Sequence, residues 1–219
     1  MAKHVLIIAT SADKLENGHA TGLWLEEFAA PYLQFEKQGY KVTVASIEGG
    51  DVPIDANSLE DGLSQEILDT QTLLKNTVRL DQVADDSYDA VFLPGGHGTV
   101  VDFPDSETLQ RVVRDVYESG NVVAAVCHGP IGLVNVTLSN GEPLVKDKQV
   151  TGFTDAEERE MQLESAVPFL LESALREKGG KFDGADNWAV NVAVDERLVT
   201  GQNPQSSERV AEEVVKLLN

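Results

Sequence analysis

The chain has 219 residues, of which 42% are hydrophobic and 25% charged, so it is long enough to bury the core of one domain spanning 1–219. Its 37 acidic residues outnumber its 17 basic residues, which gives a formal net charge of −20 at pH 7. Because this charge repels phosphate backbones and anionic lipid, neither nucleic acid nor a membrane is an expected partner.

The N-terminal segment predicts a cytoplasmic protein. Met-Ala-Lys-His is followed by the apolar run Val5–Ala9, which is too short to span a bilayer and lacks a signal-peptide cleavage site. The single cysteine, Cys127, excludes an internal disulfide. Since no cysteine and histidine residues show zinc-type spacing, no metal or other cofactor is expected.

Four apolar, β-branched runs predict buried parallel strands, and each is separated from the next by room for a helix. They cover Val5–Ala9, Val42–Ser46, Ala90–Leu93 and Val122–Val126. This alternation predicts an α/β fold with a doubly wound, mostly parallel sheet sandwiched by helices. Ligands of such sheets bind beyond the carboxyl ends of the strands. The polar stretch 49–82 is expected to leave the core without forming a second domain.

Three helices are predicted. Pro31 marks the start of the first, because proline is tolerated in the first turn of a helix. The second opens at 104–106 and closes at Gly120, with apolar residues at helical spacing between. A third, capped helix begins at Ser206 and is expected to bury one face, formed by Val210, Val214, Leu217 and Leu218.

Cys127 directly follows the fourth predicted strand, and turn-forming residues come after it. This pattern predicts a nucleophile elbow, a sharp strand-to-helix turn that presents a reactive side chain. At a helix N-terminus the thiol pKa is expected to lie below its usual value of about 8.5. A lone cysteine is otherwise a small buried apolar residue, so the strand-end position carries the prediction. His128 is a candidate general base, although adjacency alone does not establish contact with the sulfur.

Two further segments are expected to meet Cys127. In Leu93–Thr99, the backbone N–H groups of Gly95 and Gly96 are predicted to form an oxyanion hole. This loop lacks the Lys-Ser/Thr of a P-loop and the dinucleotide-binding spacing, so nucleotide binding is the weaker interpretation. In the early segment, either Glu26 or Glu27 can face inward, and the residues alone do not choose between them.

Five ordered segments together closely resemble the ThiJ/PfpI superfamily, specifically its heat-shock-protein-thirty-one-like branch. They are Thr21–Gly22 with Glu27, Leu93–Thr99, Ala124–Pro130, Gly152–Glu158 and Leu198–Pro204. The resemblance spans nearly the whole chain. It implies a flavodoxin-like, class I glutamine amidotransferase-like fold, and a homodimer.

The resemblance also implies a function, glyoxalase III. Such an enzyme is a lyase, formally a D-lactate dehydratase, that converts methylglyoxal and related 2-oxoaldehydes to D-lactate-type 2-hydroxyacids without glutathione or metal. Cys127 would form a hemithioacetal, and Glu27, the position that matches the branch's glutamate, would hydrogen-bond the sulfur and act as general acid and base, helped by His128. The third triad acid matches Glu158, with Asp155 as the alternative.

Other functions stay open. Relatives are also described as stress-related molecular chaperones and protein deglycases, and Cys127 could serve as an oxidant sensor. A cysteine peptidase or amidase that uses His128 ranks third. A class I glutamine amidotransferase is disfavoured, because it needs a His-x-Glu pair downstream of the cysteine and no histidine follows His128.

Overall fold

The computed structural model describes residues 2–59 and 62–219. The strands in these ranges are β1 (His4–Ala9), β2 (Lys41–Ser46), β3 (Val78–Arg79), β4 (Ala90–Leu93), β5 (Val122–Val126), β6 (Gln149–Val150), β7 (Lys181–Phe182), β8 (Val192–Asp195) and β9 (Leu198–Gly201). The α-helices are α1 (Leu25–Lys37), α2 (Gln65–Asp69), α3 (Thr99–Asp102), α4 (Glu107–Glu118), α5 (Asp155–Glu160), α6 (Leu171–Glu177) and α7 (Ser207–Leu218). No described helix has both the length and the apolar character that crossing a bilayer requires.

Seven strands form the central sheet in the order β3-β2-β1-β4-β5-β9-β8. All neighbours in it are parallel except β8 and β9, and β6 pairs with β7 in a separate two-stranded sheet. The unit β1-α1-β2 advances across the sheet in one direction and β4-α4-β5 in the other. Right-handed crossovers therefore place α1 and α4 on opposite faces, with a switch point between β1 and β4. This confirms the predicted doubly wound fold.

The four strands predicted from apolar runs are all present. Every residue of β4 and β5 is buried, because helices cover both faces of the sheet, and this explains their uninterrupted apolar sequence. The predicted helix between them is α4. Ser106 caps it by accepting a hydrogen bond from Leu109 N at 3.2 Å, and Gly120 follows its end with φ +82°.

The predicted start of the first helix is wrong. Helix α1 begins at Leu25, and Pro31 lies in its interior. A proline there lacks the N–H that would bond the carbonyl four residues earlier, and its ring crowds that carbonyl. Pro31 is buried with Phe28 and Phe35 on the covered face of α1, and this packing outweighs the lost hydrogen bond.

Two expectations for the C-terminal helix are also corrected. Ser206 does not cap α7 with its side chain, because its hydroxyl donates to Asn203 Oδ1 at 2.8 Å and accepts from Asn191 N at 3.0 Å. Leu217 is 41% exposed, since it lies at the edge of the buried stripe rather than within it. The stripe consists of Ser207, Val210, Ala211, Val214, Val215 and Leu218.

The described residues of the stretch 49–82 contribute a strand to the central sheet. It contains α2 and three short 3-10 helices, and it adds β3 to the edge of the central sheet beside β2. Residues 60 and 61, which belong to this stretch, lie outside the described residues.

Candidate active site

Cys127 lies on a sharp turn at the carboxyl end of β5. Its φ is +59°, a left-handed conformation that is strained for a residue with a side chain, and a 3-10 helix (Gly129–Leu133) follows. The turn is fixed on both sides, because Cys127 N donates to Gly201 O at 3.0 Å and Cys127 O accepts from Phe153 N at 2.9 Å. A Cβ at Gly129 would lie 2.0 Å from Leu93 O, so the turn needs glycine there. The strand-turn-helix geometry is that of the predicted elbow.

Glu27 reaches the same site from the first turn of α1. It is fully buried, whereas Glu26 is partly exposed, so the geometry turns Glu27 inward. Its Oε2 accepts a hydrogen bond from Gly95 N at 2.6 Å. Its Oε1 is the one buried side-chain oxygen or nitrogen of the described residues without a partner. Burial raises the pKa of Glu27 to about 8, with Glu26 adding to the effect, so the carboxyl carries its proton at pH 7.

This arrangement corrects the prediction for Gly95. Its N–H points to Glu27 Oε2 and is therefore not free to hold an oxyanion. Gly96 keeps its place as a candidate donor, since it borders the cavity beside Cys127. Its φ is +93°, and a Cβ there would lie 2.2 Å from Gly22 O, so this position also needs glycine.

The expected low pKa of the thiol is contradicted. Burial raises the pKa of Cys127 well above its usual value, and the Glu27 carboxylate adds to this, while the N–H of His128 opposes it. A 3-10 helix of five residues offers too small a dipole to offset the loss of water. Below about pH 8 Glu27 is protonated and its charge no longer disfavours a thiolate. Its O–H then becomes a donor directed toward the neighbouring sulfur.

On the other side of Cys127 lies a chain of hydrogen bonds. His128 Nδ1 is 3.5 Å from the sulfur, and His128 Nε2 is 2.6 Å from Glu158 Oε2. The other oxygen of Glu158 lies 2.6 Å from His97 Nε2. Burial raises the pKa of Glu158, but the two imidazoles outweigh it and hold the pKa well below its usual value. An ionised carboxylate only accepts, so His128 carries its proton on Nε2 and presents a lone pair to the thiol.

Asp155, the alternative third acid, points elsewhere. Its carboxylate accepts hydrogen bonds from the backbone and hydroxyl of Ser173, at 3.3 Å and 2.5 Å. Glu157 is also engaged, because it forms a capping box with Thr154 at the start of α5. The spacing Thr154-x-x-Glu157 is a recognisable helix-start signal in the sequence. It leaves Glu158 as the acid of this segment that is free to face His128.

A model of the DJ-1/PfpI family matches residues 19–217. The chain belongs to this family. The match confirms the resemblance to the ThiJ/PfpI superfamily that the five segments indicated.

Two curated relatives cover almost the entire chain. Glyoxalase 3 of Candida albicans is 33% identical over 96% of each chain. Glutathione-independent glyoxalase hsp3102 of Schizosaccharomyces pombe is 32% identical over 99% of this chain and 98% of its own. Two solved structures are similar as well. Rapid Encystment Protein 24 KDa of Francisella tularensis superposes with a TM-score of 0.95 at 37% identity, covering 99% of both chains. Glyoxalase III of Candida albicans superposes with a TM-score of 0.88 at 31% identity, covering 99% and 98%.

In this DJ-1/PfpI protein the site opens into a cavity of about 500 Å³. Glu27, Gly96, His97, Cys127 and His128 border it. Its apolar walls were not predicted from the sequence; they are formed by Trp24, Leu63, Phe153, Met161 and Trp188. These residues come from separate parts of the chain and share no local pattern, so only the fold brings them together.

Three side chains of the site could in principle bind a metal ion. One ligand atom each of His97, His128 and Glu158 lie within 4.8 Å of one another. Sequence spacing gave no sign of this cluster, since its members follow β4 and β5 or lie on α5. Both imidazoles direct Nε2 to the Glu158 carboxylate, so metal binding would require the loss of both of these hydrogen bonds.

Proposed function

We propose that this member of the DJ-1/PfpI family is a glutathione-independent glyoxalase III, a lyase that converts methylglyoxal and related 2-oxoaldehydes to D-lactate-type 2-hydroxyacids. One observation carries the proposal: Cys127 lies on a strained turn between two side chains, Glu27 and His128. Glu27 is protonated and its Oε1 has no partner, whereas His128 is hydrogen-bonded to the ionised Glu158. The names of the two curated relatives support the same activity.

The first step joins the substrate to Cys127. His128 Nδ1 takes the thiol proton, and the sulfur attacks the aldehyde carbon C1 to form a hemithioacetal. Glu27 gives its proton to the aldehyde oxygen as the carbon–sulfur bond forms. The N–H groups of Gly96 and His128, which border the cavity, are the candidates for holding this oxygen while its charge develops.

The second step moves hydrogen between the two carbons. Glu27, now a carboxylate, takes the proton from C1, and the proton held by His128 passes to the oxygen on C2, which gives an enediol. Glu27 then gives its proton to C2 and receives the one on the C1 oxygen. The product is a thioester of the 2-hydroxyacid, with Glu27 protonated again. C1 is oxidised and C2 is reduced within the same molecule, so the step needs no external oxidant or reductant.

Water completes the cycle. It attacks the thioester, the 2-hydroxyacid departs, and the sulfur regains a proton. The sum is one 2-oxoaldehyde plus one water giving one 2-hydroxyacid. The ionised state of Glu158 supports the role of His128 as general base. An adjacent carboxylate stabilises the imidazolium that forms when His128 deprotonates the thiol.

The deciding experiment measures lactate formed from methylglyoxal by purified protein without glutathione, using an enzymatic assay specific for the D isomer. Wild type is expected to form D-lactate, and Cys127→Ala is expected to form none above background, because no hemithioacetal can form. Equal turnover by wild type and Cys127→Ala would overturn the proposal. A molecular chaperone, by contrast, would suppress client aggregation in both forms.

The proposal includes a cellular setting, a cytoplasmic homodimer with neither nucleic acid nor lipid as partner. The net charge of −20 supports the exclusion of both polyanions. Gel filtration with light scattering tests the dimer, for which a mass of twice 23.7 kDa is expected.

A further inference from the structure

One wall of the cavity is aromatic and runs outward from His128. The ring of Phe153 packs on the imidazole with 4.4 Å between centroids, and the indole of Trp188 packs on Phe153 at 5.6 Å. We call Phe153 and Trp188 the aromatic wall. Phe153 is buried and Trp188 is half-buried, so the wall leads from the proposed reaction centre toward solvent.

Trp188 has a backbone conformation that is unfavourable for a residue with a large side chain. Its φ is +64°, in the left-handed region, where a large side chain is strained. The buried Glu157 fixes the backbone, because its Oε1 accepts from Trp188 N at 2.9 Å. The indole is fixed separately, since Trp188 Nε1 donates to Glu160 Oε1 at 3.0 Å. Strain that the surroundings maintain in this way clusters at ligand-binding positions.

The same Glu157 ties the wall to the rest of the site. Its Oε1 also accepts from Gln202 Nε2 at 3.1 Å and Asn203 Nδ2 at 3.0 Å, while Oε2 accepts from the backbone and hydroxyl of Thr154. A fully buried carboxylate with five donors is a rigid anchor. The indole face is therefore in place before any ligand arrives.

The cavity is larger than methylglyoxal requires. Its volume of about 500 Å³ falls among pockets that hold ligands of drug size, whereas the side group of methylglyoxal is a single methyl. Substrate bound to Cys127 would carry its side group on C2, in the cavity that His128, Phe153 and Trp188 also border. Phe153 packs on the imidazole of His128 and Trp188 packs on Phe153, so a flat side group that lies along this wall would contact both rings.

We propose that the aromatic wall is a subsite for an aryl substituent, and that Trp188 makes the protein prefer neutral 2-oxoaldehydes bearing an aromatic ring over methylglyoxal. This inference rests on the proposed function. Glu26 also borders the cavity, so an anionic substituent would be repelled.

The test compares kcat/KM for phenylglyoxal and methylglyoxal in wild type, Trp188→Ala, Trp188→Phe and the control Val190→Ala. Val190 lies in the same segment but is 59% exposed and outside the cavity.

Wild type is expected to favour phenylglyoxal by about tenfold, the upper range of an aromatic pair. Trp188→Ala should bring that ratio to about one, through the KM for phenylglyoxal, with methylglyoxal turnover changed less than about threefold. Trp188→Phe should keep most of the preference, and Val190→Ala all of it.

A wild-type ratio of one or less would overturn the subsite, as would equal losses for both substrates in a folded Trp188→Ala. If neither substrate is consumed, the proposed function fails, and binding of acetophenone, which has the ring but no aldehyde, decides the subsite by calorimetry. Wild type is then expected to bind acetophenone about tenfold more tightly than Trp188→Ala does, and Trp188→Phe should bind it nearly as tightly as wild type. Equal affinity for the wild type and Trp188→Ala would overturn it.

Discussion

Two buried glutamates flank Cys127, and they differ in the protons they hold. Glu27 is fully buried and receives one hydrogen bond, from Gly95 N, so burial raises its pKa to about 8. Glu158 is almost as buried, yet two imidazoles donate to it and its pKa lies well below the usual value. Burial alone therefore does not set the protonation of a carboxyl; the number and charge of its partners do.

The difference assigns the two acids different tasks. A carboxyl whose pKa lies near the working pH can both give and take protons, which suits Glu27 for the proposed transfer between carbons. A carboxylate that stays ionised cannot exchange protons but stabilises a neighbouring cation, which suits Glu158 as the partner of His128. Opposite pKa shifts around one reactive group are typical of sites that separate acid from base.

Replacing Glu27 should have the larger effect. Glu27→Gln keeps the shape and a donor for the sulfur but removes the exchangeable proton, so kcat/KM for methylglyoxal is expected to fall by about 10³-fold. Lactate formation at pH 7 measures this. The matched control is Glu36→Gln, an exposed position of α1, which should behave as wild type. A Glu27→Gln protein within tenfold of wild type would remove the proton-transfer task from this residue.

Replacing Glu158 should cost less, because His128 keeps its place on the turn and loses only the anion behind it. Glu158→Gln is expected to lower kcat/KM by about 10²-fold, within the range seen when general-base catalysis is impaired. Asp155→Asn is the control in the same helix and should lie within about twofold of wild type, since Asp155 contacts Ser173 rather than His128. A larger loss in Asp155→Asn than in Glu158→Gln would reverse the assignment of the triad acid.

The third expected effect is on stability rather than on rate. An unfolded chain loses the Glu27 proton near its ordinary pKa of 4.5, whereas the folded protein keeps it until about pH 8. Between these values the folded state binds more protons, so this group lowers the free energy of unfolding by about 1.4 kcal/mol for each unit by which the pH rises. Urea denaturation of wild type and Glu27→Gln from pH 5 to 8 should show the two stabilities diverging in favour of the variant. Parallel curves would show that Glu27 does not hold its proton across this range.

The elements that the sequence predicted correctly each carry a strong local signal. Apolar runs identified β4 and β5, and Ser106 with Gly120 delimited α4. Pro31 led to a wrong start for α1, because the rule for proline considers only local backbone geometry. The position of α1 depends also on packing against residues distant in the sequence. The hairpin of β8 and β9 was not predicted, since its turn uses Glu196 with φ +54° where a glycine would have signalled the turn.

The residues of the site show the same difference between local signals, which the sequence contains, and long-range contacts, which it does not. Strand ends and glycines led to Cys127 and Gly96, and the resemblance selected Glu27. The thiol pKa was mispredicted because loss of water depends on everything that covers the residue. The engagement of Gly95 by Glu27, 68 residues away, and of His97 by Glu158, 61 residues away, has no counterpart in local sequence. Such pairings appear only once the fold is known.

The left-handed backbone of Cys127 sets stability against chemistry at a single position. Glycine adopts that conformation without strain, so relief of backbone strain alone favours glycine at 127, which has no thiol. Selection for stability alone would therefore tend to erase this cysteine. The proposed reaction gives a physical reason for cysteine rather than glycine on this turn.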